Sequence, residues 1–263
     1  MLSSAKLDRC AALLDRLAAL AIDRITGRPT QIGTKSSAAD WVTDTDRGVE
    51  QLVLDAILAE FPDHRVIGEE LGETGDAAAP ATWLVDPIDG TTNYVHGLPV
   101  SSFSACVTDE SGAAAAVVAD PYRSEILSAV RGRGALRDGR PTRCSEATSL
   151  MGGIVLTEFS AQSLWDGMTE MMRALTGAGC VTRIMGSNAF SVASVATGRT
   201  LATVIGQFNF GDCLGGALIA AEAGASVLWA SGEPQQGELF VCSAPGVIDE
   251  LLAVWPAPGV IAA

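Results

Sequence analysis

Apolar side chains recur at helical spacing over residues 7 to 25, where Leu7, Cys10, Leu14, Leu17, Ile22 and Ile25 share most of one stripe and Gly27 and Pro29 close the segment. A second helical repeat follows Asp44-Thr45-Asp46, residues suited to a helix start. Its expected core face is Val49, Leu52, Val53, Ala56 and Ile57, and Pro62 ends it. The period then shortens. Residues 65–67 read as a short strand and Thr82-Trp83-Leu84-Val85 as a buried one. Residues 100–108 and 113–119 flank Asp109-Glu110-Ser111-Gly112, a hairpin turn, and 125–130 adds a strand. The Gly/Arg-rich stretch 131–143 reads as turns with a short strand pair. Further on, strands are expected at 153–157, 181–185, 201–205, 225–229 and 238–242, alternating with helices at 163–176, 187–196, 213–223 and 247–255. That alternation predicts layered α/β packing. The change of pattern near residues 144–150 divides the chain into an N-terminal α+β lobe, 1–146, and a C-terminal α/β lobe, 147–263, closed into one unit.

Chemistry concentrates at Asp86-Pro87-Ile88-Asp89-Gly90-Thr91-Thr92-Asn93. Two carboxylates and a carbonyl at a strand end suit hard cations, and the glycine turn after them offers free N–H groups to a phosphate. Three further blocks accompany it. The first is Lys35-Ser36-Ser37 with Asp40-Trp41-Val42-Thr43-Asp44-Thr45-Asp46, and the second is Gly68-Glu69-Glu70. The third is Gly186-Ser187-Asn188-Ala189 with Asp212. Several adjacent carboxylates repel one another, so the cluster implies bound cations or raised pKa values.

In this order, across about residues 35 to 225, the four blocks resemble the inositol monophosphatase family of magnesium-dependent, lithium-sensitive phosphatases. The resemblance implies a five-layered αβαβα sandwich, a homodimer and two or three Mg²⁺ ions. Its metal ligands map onto Glu69, Asp86, the Ile88 carbonyl, Asp89 and Asp212. Asp46, Glu69 and Thr91 match the residues that orient and activate the attacking water. Asp89, Gly90, Thr91, Thr92, Gly186, Ser187, Asn188, Ile205 and Asp212 match those that meet the substrate. The expected activity is a phosphomonoesterase acting on a small phosphorylated metabolite.

Three positions depart from the family pattern. Ile205 stands where a carboxylate usually faces a sugar hydroxyl, Gly211 replaces a tryptophan, and Leu214 replaces a small residue. An apolar side chain cannot discriminate a hydroxyl as a carboxylate does. Histidinol phosphate, fructose 1,6-bisphosphate, a nucleotide 3′-phosphate and an aminocyclitol or sugar phosphate therefore compete with inositol phosphate as substrate. A non-catalytic metabolite-binding homologue is the further alternative.

Composition narrows the partners. With 263 residues, 48% hydrophobic content and a mean hydropathy of +0.28, the chain can bury a large core. Its formal net charge of −14 disfavours nucleic acid and anionic membranes. No apolar run is long enough for a membrane span, and charges interrupt the N-terminal stretch, so no signal peptide is expected. Six scattered cysteines without a C-x-x-C pair fit a reduced, cytoplasmic protein. His64 and His96, the two histidines, are expected at the surface or in satisfied loops, not in a zinc site. The stretch containing Arg131, Arg133, Arg137, Arg140 and Arg143 is expected to be a solvated loop.

Overall fold

The computed structural model describes residues 1–35, 37, 40–159, 163–230 and 239–255. Helix α1 (Ser4–Ile25) starts at Ser3, whose hydroxyl accepts the Lys6 N–H, and buries Cys10, Leu13, Leu14, Leu17, Ala21 and Ile25. A small hairpin, β1 (Ile32–Thr34) with β2 (Trp41–Thr43), leads into α2 (Asp44–Glu60). Thr43 and Asp46 form a reciprocal capping box at its start. The buried face of α2 is Asp46, Val49, Glu50, Val53 and Ile57. Leu52, expected in that face, is 36% exposed, and Ala56 is only partly buried. The stripe is rotated because Glu50 turns inward to accept backbone N–H groups from the next loop.

The first sheet has eight strands in the order β10-β9-β8-β7-β6-β5-β3-β4. They are β3 (Arg65–Gly68), β4 (Gly72–Thr74), β5 (Thr82–Asp89), β6 (Ser102–Asp109), β7 (Gly112–Asp120), β8 (Glu125–Val130), β9 (Ala135–Arg137) and β10 (Arg140–Thr142). Helix α3 (Thr91–His96) follows β5 directly. The second sheet is β12-β11-β13-β15-β14, from β11 (Ile154–Glu158), β12 (Val181–Arg183), β13 (Ala202–Ile205), β14 (Ser226–Trp229) and β15 (Phe240–Ser243). Helices α4 (Met168–Gly177), α5 (Asn188–Ser194), α6 (Phe210–Glu222) and α7 (Ile248–Val254) complete the chain.

Four apolar clusters bind five layers. Leu14, Leu17 and Val53 of α1 and α2 meet Trp83, Phe103 and Val117 on the outer face of the first sheet. Its inner face, with Cys106 and Ala116, packs on Ala189, Leu214 and Ile219 of α5 and α6. The same helices turn Val192 and Cys213 toward Phe240 and Cys242 of the second sheet. Met171 of α4 and Leu251 of α7 cover Val155 and Val204 on the far side. The architecture is thus αβαβα.

Some expectations need correction. Helix α4 begins at Met168, not at residue 163, because Gly167 enters it with φ +89°; residues 160–162 lie outside the described set. Glu238, expected to open the last strand, also lies outside the described residues. Helix α6 starts at Phe210, three residues early, because the Asn209 side chain accepts the Gly211 N–H. That start places Asp212 in the first helical turn. His64 is not at the surface. It is 1% exposed, stacks on Phe61, and its Nδ1 accepts the Trp83 indole N–H at 2.9 Å. The arginine stretch is solvated as expected, and within it Arg131, Arg133 and Arg137 pair with Asp109, Asp8 and Glu125.

Candidate active site

Strand β5 carries Asp86 and Asp89 three residues apart. In a regular strand such residues face opposite sides of the sheet. Pro87 has no N–H for the ladder, and the pairing of β5 with β6 shifts register between Asp86 and Asp89. The bulge re-aims the second carboxylate, so both bear on one cluster. Burial, then the charges of Glu69, Asp89 and Asp212, push the Asp86 carboxyl well above its ordinary value. Burial likewise raises Asp89, to about 6, against the opposing pull of donors from Ser187, Ala189 and Asn188. Asp212 is raised by burial and by Asp89 and Glu69.

The turn before α5 reaches this cluster. Ser187 Oγ and the Ala189 N–H each donate to Asp89 Oδ2 at 2.6 Å, and Ser102 Oγ lies 3.5 Å from the same oxygen. Asn188 Nδ2 donates to Asp212 Oδ2 at 3.4 Å. Ser187 also caps α5 by accepting the Phe190 N–H, so one hydroxyl serves both helix and carboxylate. Two glycines permit the turn after β5 to meet the turn before α5. Gly90, at φ +93°, leaves room for the Gly186 carbonyl, which a Cβ at residue 90 would approach to 2.7 Å. A Cβ on Gly186 would press on the Asn93 amide, which donates to the Met185 carbonyl.

Thr91 and Asp46 come together as well. The Thr91 hydroxyl lies 2.9 Å from the Ile88 carbonyl and 3.3 Å from Asp46 Oδ1. Asp46 Oδ2 is occupied by the Thr43 N–H in the capping box, which leaves Oδ1 to face Thr91. Thr92 is exposed and touches none of these groups. Ser36, quoted in the upstream block, lies outside the described residues.

A cavity of about 210 Å³ is lined by Glu69, Asp86 and Asp212 together with Ile67, Leu84 and Gly211. A Cβ added at Gly211 would meet nothing nearer than Asn209 Oδ1 at 3.8 Å. Ile205 does not line this cavity. Its side chain is 1% exposed and packs with Val192, Phe208 and Phe240, so the expected apolar wall of the substrate pocket is a core residue.

The donor set suits hard divalent cations: four carboxylates and a strand-end carbonyl, with no imidazole or thiol offered. Burial first, and then the neighbouring carboxylates, raise Asp86 and Asp212, and a cation held among them would oppose both effects. Among the described residues, no group of three or more His, Cys, Asp or Glu side chains is arranged to hold an ion as it stands. Lys35 supplies part of the reason. Its Nζ lies 2.7 Å from both Glu69 Oε1 and Glu70 Oε1, so an ammonium holds the Glu69 carboxylate.

Cation binding should then depend on pH with a definite sign. Asp86, Asp89 and Asp212 have folded-state pKa values above the unfolded ones. The cation-free fold therefore binds more protons than the unfolded chain, and loses stability as pH rises through about 6 for Asp89. A divalent cation must displace those protons. The rise in Tm caused by Mg²⁺ is expected to be small at pH 5 and to grow as pH rises through about 6, read by thermal melts at each pH. A Mg²⁺ effect that is flat across this range contradicts the assignment.

Sequence reasoning missed two buried carboxylates that shape the site. Glu50 Oε2 and Oε1 accept the Glu70 and Leu71 N–H groups, each at 2.8 Å, and a Cβ at Gly68 would collide with it. Glu158, at the end of β11, accepts the Met185 and Gly186 N–H groups. The available signal was a lone charged residue inside an apolar pattern: Glu50 on the α2 stripe and Glu158 after Ile154-Val155-Leu156-Thr157.

Comparison with known proteins places these observations. A family model described as the inositol monophosphatase family matches residues 4–254. The chain is 36% identical over 199 residues to the Nus factor SuhB of Pseudomonas aeruginosa, covering 73% of each chain. It is 35% identical over 203 residues to inositol monophosphatase 2 of Solanum lycopersicum, covering 73% of this chain and 76% of the relative. Among solved structures, an IMPase of Thermotoga maritima superposes with a TM-score of 0.81 at 31% identity, covering 95% of this chain and 96% of that one.

Proposed function

The chain belongs to the inositol monophosphatase family, and from that premise we propose that it is a Mg²⁺-dependent phosphomonoesterase for a small phosphorylated metabolite, with water as nucleophile. The observation that carries the reading is the single cavity that Glu69, Asp86, from β5, and Asp212, from α6, line together. Glu69, Asp86, the Ile88 carbonyl, Asp89 and Asp212 would hold two or three Mg²⁺ ions, which when bound neutralise phosphoryl charge and lower the pKa of water. Asp46 Oδ1 faces the Thr91 hydroxyl and fixes its rotamer, so Thr91 can orient a water for in-line attack. The Gly90 turn brings backbone close enough for Thr91 and Thr92 to meet a phosphate. Gly186, Ser187 and Asn188 stand on the leaving-group side. The same reading carries lithium inhibition and a cytoplasmic homodimer.

Position 205 lacks the carboxylate of the family pattern, and the isoleucine there packs into the core and does not face the cavity. With no acceptor from that position, inositol 1-phosphate should be a poorer substrate than an ester whose alcohol needs none. The test is release of inorganic phosphate, with and without Mg²⁺. The panel comprises inositol 1-phosphate, histidinol phosphate, fructose 1,6-bisphosphate, a nucleotide 3′-phosphate and a sugar phosphate. Mg²⁺-dependent turnover of at least one ester is expected, with inositol 1-phosphate not the best. A second reading, a non-catalytic role, is favoured by the name Nus factor given to relatives such as that of Pseudomonas aeruginosa. Tight metabolite binding without turnover of any ester selects it.

A further inference from the structure

The geometry points to Glu158 as a positioning residue that sets the Asp89 carboxylate through the turn before α5; this inference rests on the proposed phosphatase reading. Glu158 ends β11, where its Cα pairs with Ile205 across the parallel ladder. Its side chain is 3% exposed, yet its carboxylate is fully engaged. Oε1 accepts the Met185 N–H at 2.9 Å and the Ser191 hydroxyl at 2.5 Å, and Oε2 accepts the Gly186 N–H at 2.8 Å. Its own carbonyl accepts the Trp165 indole N–H at 2.9 Å, so backbone and side chain are both fixed.

These contacts exclude two other roles. Glu158 is not the carboxylate that Ile205 lacks, because it has neither a free oxygen nor an open surface for a substrate hydroxyl. It is not a further cation ligand for the same reason. What remains is the turn it holds. Met185 and Gly186 precede Ser187, and Ser191 lies one helical turn beyond it. Glu158 therefore grips both sides of the segment that supplies Ser187 Oγ and the Ala189 N–H to Asp89 Oδ2. The path is two hydrogen-bonded steps: carboxylate to turn, turn to carboxylate. Burial raises Glu158 to about 7 against the opposing pull of its three donors. Outer partners of this kind change metal affinity by about 10–100-fold when removed.

Glu158→Gln tests the inference on the full chain. The amide must set its NH₂ against at least one N–H that now meets an oxygen, so the turn shifts. Calorimetric titration with Mg²⁺ alone is expected to show about 10-fold weaker binding. Turnover of p-nitrophenyl phosphate should recover as Mg²⁺ is raised. A merely structural role would lower the Tm and the active fraction while leaving the Mg²⁺ Kd unchanged. In a double-mutant cycle, Glu158→Gln should add little to Ser187→Ala, because both act on the same contact. An unchanged Mg²⁺ Kd in folded Glu158→Gln, or independent effects in the cycle, overturns the inference. Should Glu158→Gln not fold, Ser191→Ala removes one donor and is expected to weaken Mg²⁺ about 3-fold; an unchanged Kd there overturns it equally. Wild-type protein that binds Mg²⁺ but hydrolyses no ester sinks the phosphatase reading alone, since the Kd comparison still stands.

Discussion

Asp89→Asn is expected to lower Mg²⁺-dependent phosphate release by about 10³-fold or more, a loss of about 4 kcal/mol of transition-state stabilisation. The same variant should melt no lower than the parent in the absence of divalent ions. Both halves follow from one accounting of donors. Ser187, Ala189 and Ser102 all reach Asp89 Oδ2. An amide oxygen in that place can accept the same bonds, so the link to the turn before α5 survives. The remaining oxygen becomes an NH₂ group, which cannot ligate a cation. In the cation-free state that exchange removes one of several carboxyls that repel one another, and the raised Asp86 and Asp212 should relax toward ordinary values. Phosphate release and a melt with and without Mg²⁺ measure both. Near-parental turnover would remove Asp89 from the cation site; a large drop in the Mg²⁺-free Tm would mean that the variant loses structure and not chemistry.

The legibility of this chain in its sequence follows the length and regularity of each pattern. Helix α1 shows its stripe over 22 residues, enough for the helical period to be unambiguous. Helix α2 was legible as a helix but not in its rotation, because Glu50, outside the expected apolar face, is buried beside Val49 and Val53. The hairpin β1–β2 and strand β4 have three residues each, too few to display alternation, and were not foreseen. The start of α6 depended on the Asn209 cap, not on the apolar pattern around Cys213.

The candidate site divides in the same way. Asp46, Glu69, Asp86, Asp89, Thr91 and Asp212 lie in short blocks whose residue types announce their chemistry. The bulge that lets Asp86 and Asp89 face one cluster is a backbone event, hinted at only by Pro87. The partners of Glu50 and Glu158 were not legible, because they are mainly backbone N–H groups 20 to 28 residues away, and peptide N–H groups carry no residue identity. Ile205 was misplaced for a related reason. Its spacing from Asp212 is readable, but which face of β13 turns to the core is fixed by α5 and by Phe240.

Gly90→Ala is expected to destabilise the protein by about 2–4 kcal/mol and to reduce turnover at least 100-fold. Two costs combine. At φ +93° an L side chain sits in a region it rarely adopts, and its Cβ would stand 2.7 Å from the Gly186 carbonyl and 3.3 Å from Ser187 Cβ. The first cost is local to the chain; the second forces the Gly90 and Gly186 turns apart. Since Ser187 holds Asp89 at 2.6 Å, moving the turn disturbs a carboxylate even though that residue is unchanged. Gly139 separates the two costs. It has φ +72° but nothing within 4 Å of an added Cβ, so Gly139→Ala should carry only the backbone strain, about 1–2 kcal/mol, with parental turnover. Denaturant melts give the stability of each variant and phosphate release gives the turnover. If Gly90→Ala behaves like Gly139→Ala in both measurements, the close approach of the Gly90 turn to Gly186 and Ser187 does not hold the site together.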